Sequence, residues 1–108
     1  MTKKKYNKLV RDKIPEIIIS KGATPKTSIL DDSNFRKKLK EKLIEEAQEV
    51  VEEEKDILNE LADVLELIKS IGREYNIEFN EIEKKQIEKS TERGGFLKKI
   101  LLEWVEES

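Results

Sequence analysis

Acidic residues in the middle of the chain occur as two pairs at helical spacing. Glu46 and Glu49 form the first pair, Glu60 and Asp63 form the second, and Glu45 stands beside the first. Residues three apart lie on one face of a helix, so each pair presents two carboxylates side by side. Two such faces brought together would make a cage of four carboxylates that requires a hard cation. An ion held in this way commonly serves phosphate chemistry.

The two acid pairs can meet only if the chain turns back between them. On one continuous helix, Glu49 and Glu60 would stand about 16 Å apart, at 1.5 Å per residue. We therefore predict a tight turn at residues 54–56, with Asp56 as the N-cap of the second helix. The second helix would then run antiparallel to the first and bring the two acid pairs level.

The position of these acids on their helices distinguishes them from ordinary surface charge. Glu46 falls within the apolar stripe of the first helix, whereas Glu60 and Asp63 flank the stripe of the second. Acids on a core-facing stripe are costly unless they are paired or bind a metal. A solvated face is the alternative interpretation, because 43% of the residues are charged and the same spacing recurs by chance. Residues 52–54 are expected to be such solvent-facing charge.

Composition excludes several kinds of chemistry. The 108 residues contain no Cys and no His, which rules out disulfides, thiolate nucleophiles, Cys or His zinc sites and Ser-His triads within this sequence. The length corresponds to one domain, residues 1–108. A net charge of −2 provides no overall field for nucleic acid or anionic membranes, and no apolar run could span a bilayer. We expect a cytoplasmic protein whose lean core, with 36% hydrophobic residues, is completed by forming a homodimer or higher homo-oligomer.

The rest of the pattern predicts a mainly α-helical protein, with the antiparallel helical hairpin inside a helical bundle. Helices are predicted at residues 15–21, 34–53, 57–73 and 81–92, with N-caps within residues 31–33 and at Asn80. Residues 24–30 read as extended. Residues 100–105 are rich in strand formers and would pair with residues 27–30 as a small two-stranded β element. A short terminal helix is the alternative for this last segment.

Basic residues cluster near both ends of the sequence. Lys8, Arg11 and Lys13 alternate with apolar residues, which indicates an ordered segment that carries cations to a defined place. Lys89 and Arg93 fall on one face of the last predicted helix, directly before a pair of glycines. A basic side chain beside exposed backbone N–H groups commonly forms a phosphate-binding site. Solvated surface charge is the alternative for both groups.

Four stretches resemble the MazG-like all-α nucleotide pyrophosphohydrolases, and more closely their small house-cleaning branch related to phosphoribosyl-ATP pyrophosphohydrolase. In family order they are YNKLVRDKIP at residues 6–15, KLIEEAQE at 42–49, ELADVLE at 60–66, and the stretch from Lys89 to RGGF at 93–96. The first and last stretches are the most specific to the small branch. The sequence departs from the family pattern at Asn59, where an acid often precedes the glutamate of ExxD.

The resemblance implies Mg²⁺-dependent hydrolysis of a nucleoside triphosphate to monophosphate and pyrophosphate, with Mn²⁺ as a possible substitute. At matching positions the metal ligands would be Glu46, Glu49, Glu60 and Asp63. The catalytic acids would be Glu45, Glu46 and Glu49. The phosphates would be bound by Lys8, Arg11, Lys13, Lys89 and Arg93, and Tyr6 or Phe96 would stack on the base. The alternatives are a non-catalytic nucleotide-binding module, a phosphoribosyl-ATP substrate, and a helical interaction domain whose acids are surface charge.

Overall fold

Four helices make up the regular structure of the computed structural model, which describes residues 2–108. They are α1 (Ile14–Ser20), α2 (Asp32–Glu52), α3 (Ile57–Glu74) and α4 (Phe79–Arg93). Each helix begins and ends within two residues of its predicted limits. The mainly helical prediction is therefore confirmed. None of the helices in this part of the chain is long and apolar enough to cross a membrane.

Local hydrogen bonds explain where α2 begins and how the chain turns into α3. Asp31 caps α2 as predicted, because its carboxylate accepts a hydrogen bond from the backbone N–H of Asn34 at 2.8 Å. Asp56 occupies the N-cap position of α3, as predicted, although its side chain makes no capping hydrogen bond within residues 2–108. Glu53 holds the turn instead, since its Oε1 accepts from the N–H groups of Lys55 and Asp56 at 2.9 and 2.8 Å.

The packing of α2 against α3 is the main tertiary interaction of the chain. Lys40 Nζ donates to the Tyr75 hydroxyl at 2.6 Å, which places the start of α2 beside the end of α3. Carboxylate oxygens of Glu46 and Glu60 approach each other between the end of α2 and the start of α3. Leu39 on α2 and Leu67 on α3 are the buried apolar side chains of residues 2–108. The acid pairs of the two helices are therefore level with each other.

Helix α4 begins at a different cap from the predicted one. The Glu81 carboxylate accepts from the Glu78 N–H at 2.7 Å, and the two residues form a reciprocal capping box. The helix consequently begins at Phe79, and Asn80 is not its cap. Close packing joins α4 to the end of α3, where a Cβ on Gly72 would lie 3.1 Å from Ile82 Cδ1.

The predicted β element is absent from the described residues. Residues 27–30 and 100–105 contain no strand, and no helix follows Arg93, so both interpretations of the final segment are wrong. Gly94, with φ of +83°, ends α4, and the chain continues beyond it without regular structure. A strand needs a partner for its backbone groups, and an isolated pair of strands is marginal in water. Neither segment has such a partner in residues 2–108.

Candidate functional site

Five carboxylates from α2 and α3 form one cluster, which we call the carboxylate cluster: Glu45, Glu46, Glu49, Glu60 and Asp63. Oxygens of Glu46, Glu60 and Asp63 lie within 4.8 Å of one another. Oxygens of Glu45, Glu46 and Glu49 form a second such group, so Glu46 belongs to both. Helical spacing places the acids on one face of each helix, and the packing of α2 on α3 turns the two faces toward each other.

Burial is concentrated on Glu46, the residue that the two groups share. Its side chain is only 10% exposed. The Oε2 atoms of Glu46 and Glu60 are buried and have no hydrogen-bond partner in the described part of the chain. A buried acceptor without a partner costs about 1–3 kcal/mol, and more when it is charged. Such atoms are uncommon in folded proteins, and a bound ion or water is one of the usual reasons for them.

The electrostatics of the cluster follow from this crowding. Loss of hydration raises the pKa of Glu46, and its hydrogen bond and charge interaction with Glu49 raise it further. A hydrogen bond with Glu49 is the main cause of the raised pKa of Glu60. Without a cation, these groups therefore retain protons at a higher pH than isolated carboxyls do.

Two predicted phosphate-binding cations lie against the carboxylate cluster. Lys8 Nζ is 3.0 Å from Glu45 Oε1. Arg11 donates to Asp63 Oδ1 at 2.7 Å, and its other terminal nitrogen lies 3.6 Å from Glu66. The Lys8 ammonium lowers the pKa of Glu45, and Glu45 raises the pKa of Lys8 in turn. The segment before α1 therefore brings positive charge to both helices of the pair.

The other predicted substrate-binding residues are not in contact with the carboxylate cluster. Lys13 precedes α1, and Lys89 and Arg93 lie on α4; all three are exposed and have no ion pair within residues 2–108. For Lys89 and Arg93 the separation is consistent with the packing of α4, which contacts α3 near Gly72. Gly72 lies twelve residues beyond Glu60, or about 18 Å along the helix at 1.5 Å per residue.

The two aromatic side chains predicted to stack on a base are also exposed. Tyr6 is 63% exposed and lies beneath Lys4, whose Nζ is 5.3 Å from the ring centroid. Phe96 is 98% exposed beyond the end of α4. Neither ring forms a base-binding pocket with the carboxylate cluster in the single chain.

Sequence reasoning missed two residues that contact the cluster. Lys42 Nζ lies 3.6 Å from Glu46 Oε1, one helical turn away. Glu66 shares Arg11 with Asp63. The i, i+4 spacing of Lys42 and Glu46 was a usable signal, and so was the i, i+3 spacing of Asp63 and Glu66, which places both acids on one face of α3.

The cleft beside Glu45 is small. It lies between the segment before α1 and α2, with Lys8, Leu9, Lys42 and Glu45 among its lining residues, and it holds about 60 Å³. Pockets for ligands of nucleotide size usually hold about 300–1,000 Å³. A ligand of that size would therefore have to lie across the surface of the cluster or displace the Lys8 and Arg11 side chains.

Carboxylate oxygens arranged in this way suit a hard divalent cation, and the adjacent Lys8 and Arg11 side chains suit anionic oxygens of a ligand.

Comparison of the chain with models of protein families, with curated proteins and with solved structures found no match.

Proposed function

We propose that this chain is a Mg²⁺-dependent nucleoside triphosphate pyrophosphohydrolase, which releases a monophosphate and pyrophosphate. The observation that carries the proposal is the buried carboxylate of Glu46, whose Oε2 has no hydrogen-bond partner in residues 2–108 although oxygens of Glu60 and Asp63 lie within 4.8 Å. Three carboxylates at this separation repel one another, and a divalent cation between them would remove the repulsion. The resemblance of four sequence stretches to the MazG-like family supports the same function and the same helical bundle.

The residues present fit Mg²⁺. All donors of the carboxylate cluster are oxygens, and the unpartnered Oε2 atoms of Glu46 and Glu60 are available as ligands. Mg²⁺ prefers oxygen ligands and is usually held by a few carboxylates together with substrate phosphates. When bound, it would supply a Lewis acid for the phosphoryl oxygens and lower the pKa of a bound water.

The side chains around the cluster divide the remaining tasks. The cation would be held by Glu46, Glu49, Glu60 and Asp63. Glu45 lies beside them, where it could accept a proton from an attacking water. Lys8 and Arg11 offset the charge of the phosphates and of the departing pyrophosphate. Arg11 presents a planar fork of donors that suits phosphate oxygens. When the nucleotide binds, Arg11 would release its ion pairs with Asp63 and Glu66 and pair with the phosphate instead.

The test is pyrophosphate release from a panel of canonical and modified NTPs and dNTPs, with phosphoribosyl-ATP included, in Mg²⁺ or Mn²⁺. We expect monophosphate and pyrophosphate in equal amounts from at least one substrate. Glu46→Gln should lower the rate on the order of a hundredfold or more, because it removes a ligand worth several kcal/mol to the transition state.

Glu88→Gln is the control, because Glu88 lies on α4, is exposed and pairs with Lys85 at 3.3 Å, away from the carboxylate cluster. It should retain full activity. A folded Glu46→Gln protein with undiminished turnover would contradict the proposal. Tight nucleotide binding without product would favour a non-catalytic nucleotide-binding module, and absence of both metal and nucleotide binding would favour a structural helical domain.

A further inference from the structure

The last part of the chain is apolar, exposed and separate from the helices. Residues 95–105, which we call the C-terminal arm, carry seven large apolar side chains that are 65–98% exposed: Phe96, Leu97, Ile100, Leu101, Leu102, Trp104 and Val105. Within residues 2–108, the only backbone hydrogen bond inside the arm is local, from Lys99 N–H to Phe96 O. Exposed apolar surface of this extent usually marks an interaction site.

A second apolar surface runs along α3. Leu58, Leu61 and Leu65 follow the i, i+3, i+7 spacing, so they form one line, which we call the outer stripe. Leu67, which is buried, follows Leu65 by two residues, or about 200° around the helix, so the outer stripe faces away from the buried side of α3. Exposure along the stripe rises from 42% at Leu65 to 51% at Leu61 and 77% at Leu58.

The increase in exposure follows the path of α4. This helix touches α3 near Lys69, whose Nζ lies 4.9 Å above the Phe79 ring, and near Gly72. Both contacts lie beyond Leu65, toward the end of α3, and Leu58 in the first turn of α3 remains exposed. The single chain therefore supplies both an apolar arm and an uncovered apolar stripe, and it does not bring them together.

We propose that the C-terminal arm of one copy covers the outer stripe of a second copy, and that the exchange is reciprocal. The radius of gyration of the single chain is 18.9 Å, whereas a compact chain of about 100 residues has roughly 13 Å. An isolated chain thus leaves unburied the apolar surface that a compact domain would enclose. A two-fold exchange would cover the C-terminal arm and the outer stripe of each copy, so that neither surface stays exposed to solvent.

The area available is sufficient for a stable dimer. The Phe96 and Trp104 side chains bury roughly 150–250 Å² each when covered, so two arms contribute about 600–1,000 Å² from these rings alone. The aliphatic residues of the arms and the two outer stripes bring the total into the range of about 1,200–2,000 Å² that stable interfaces bury. Charge also contributes: the arm carries Lys98, Lys99 and Glu103, a net charge of +1, and acids at residues 52–54 precede the outer stripe.

The first measurement is the molar mass of the full chain by size exclusion with light scattering. We expect twice 12.7 kDa at micromolar concentration. Trp104 is the only Trp and is 74% exposed in the single chain, so its emission should move to longer wavelength on dilution as dimers dissociate. A monomer at all concentrations, with unchanged emission, would overturn the proposal, as would a monomer whose Trp104 emission responds to phospholipid vesicles.

Substitutions then test which surfaces meet. Leu101→Asp on the arm and Leu65→Asp on the outer stripe should each yield a monomer that keeps its helical circular dichroism. Ile29→Asp is the matched control, because Ile29 is 98% exposed and lies outside both surfaces; it should remain a dimer. If the Leu101→Asp and Leu65→Asp proteins both remain dimeric, the proposed arm exchange is wrong, even if the wild type is a dimer.

Crosslinking keeps the proposal testable if a substitution prevents folding. The chain has no Cys, so single cysteines can be placed freely. When a Leu61→Cys chain is mixed with a Leu101→Cys chain, a short thiol crosslinker should join one to the other more than either to itself. A chain carrying both cysteines that instead crosslinks internally at nanomolar concentration would show that the arm folds back on its own stripe, which contradicts the exchange.

Discussion

At the scale of single residues, Glu46 carries most of the functional argument. It is the acid that both groups of the carboxylate cluster share, its side chain is nine-tenths buried, and its Oε2 has no partner within residues 2–108. Lys42 offsets part of its charge from one turn away, at 3.6 Å. A residue that served only stability would not need an ionisable group here, because an apolar side chain would avoid the cost of desolvation.

The raised pKa of Glu46 predicts that Glu46→Gln stabilises the metal-free protein. The folded state holds the Glu46 proton more tightly than the unfolded chain, so stability falls as the pH rises from the ordinary value of 4.5 through the raised pKa. The amide removes this penalty and can donate to a neighbouring carboxylate. At pH 7 the variant should therefore melt at a higher temperature than the wild type.

Thermal melts from pH 4 to pH 8 in the presence of a chelator provide the measurement. The two proteins should converge below pH 4.5, where the carboxyl is protonated in both the folded and the unfolded state. Glu41→Gln, an exposed position on the same helix, should follow the wild type throughout. A Glu46→Gln protein that is less stable than the wild type at pH 7 would mean that the carboxylate is stabilising without a metal.

At the scale of elements, local hydrogen bonds set the helix limits, and contacts between helices set their arrangement. Glu53 closes the turn that brings α3 back onto α2, and its two backbone hydrogen bonds lower its pKa. Gly72 has the corresponding role for α4, because the absence of a side chain allows Ile77 and Ile82 to approach α3 closely. Glu53 thus fixes the turn between α2 and α3, and Gly72 fixes how closely α4 packs on α3.

Gly72→Ala should destabilise the junction of α3 and α4. The new Cβ would lie 3.0 Å from the Ile77 carbonyl oxygen and 3.1 Å from Ile82 Cδ1, so neighbouring backbone must move. Overpacking of this kind costs about 1–3 kcal/mol, which exceeds the gain of up to about 1 kcal/mol from replacing Gly by Ala in a helix. Urea unfolding followed by circular dichroism measures the difference.

Gly95→Ala is the control for this substitution. A Cβ at residue 95 meets nothing within 4 Å, so the midpoint of unfolding should not change. A Gly72→Ala protein as stable as the wild type would show that α4 is not closely packed on α3 in solution.

At the scale of the whole molecule, the chain is extended and poorly buried. Its principal extents are 68 × 33 × 26 Å, and Leu39 and Leu67 are its buried apolar side chains in residues 2–108. Stability of a single copy rests largely on α2 packed against α3, and the carboxylate cluster lies in that same contact. Binding of a cation to the carboxylate cluster should therefore stabilise the whole fold against unfolding.

Mg²⁺ is expected to raise the melting temperature of the wild type. A ligand that binds only the folded state adds about 2.7 kcal/mol when its concentration is a hundred times its Kd, which corresponds to roughly 10 °C or more in a domain of this size. Differential scanning fluorimetry with and without about 10 mM Mg²⁺ or Mn²⁺ measures the shift. Glu46→Gln should respond much less, and NaCl at equal ionic strength should not reproduce the effect. An unchanged wild-type melting temperature would argue against a preformed cation site.

The amino-acid sequence by itself determined the four helices and placed the acids on one face of each. Both depend on interactions within a few residues, namely apolar spacing, the Asp31 cap and the glycine that ends α4. The sequence also indicated that Lys8 and Arg11 would have fixed positions, although not which acidic side chains would pair with them.

The tertiary structure alone decided the burial of Glu46, the pairing of Arg11 with Asp63, and the exposure of the C-terminal arm. The hydrogen bonds by which Glu53 holds the turn before α3, and the capping box at Glu78 in place of a cap at Asn80, also required coordinates. The physical reason is that burial and ion pairing depend on which distant surfaces meet, and several neighbouring acids are equally suited to a cap until the backbone geometry selects one. A strand-forming segment likewise becomes a strand only when a partner lies beside it.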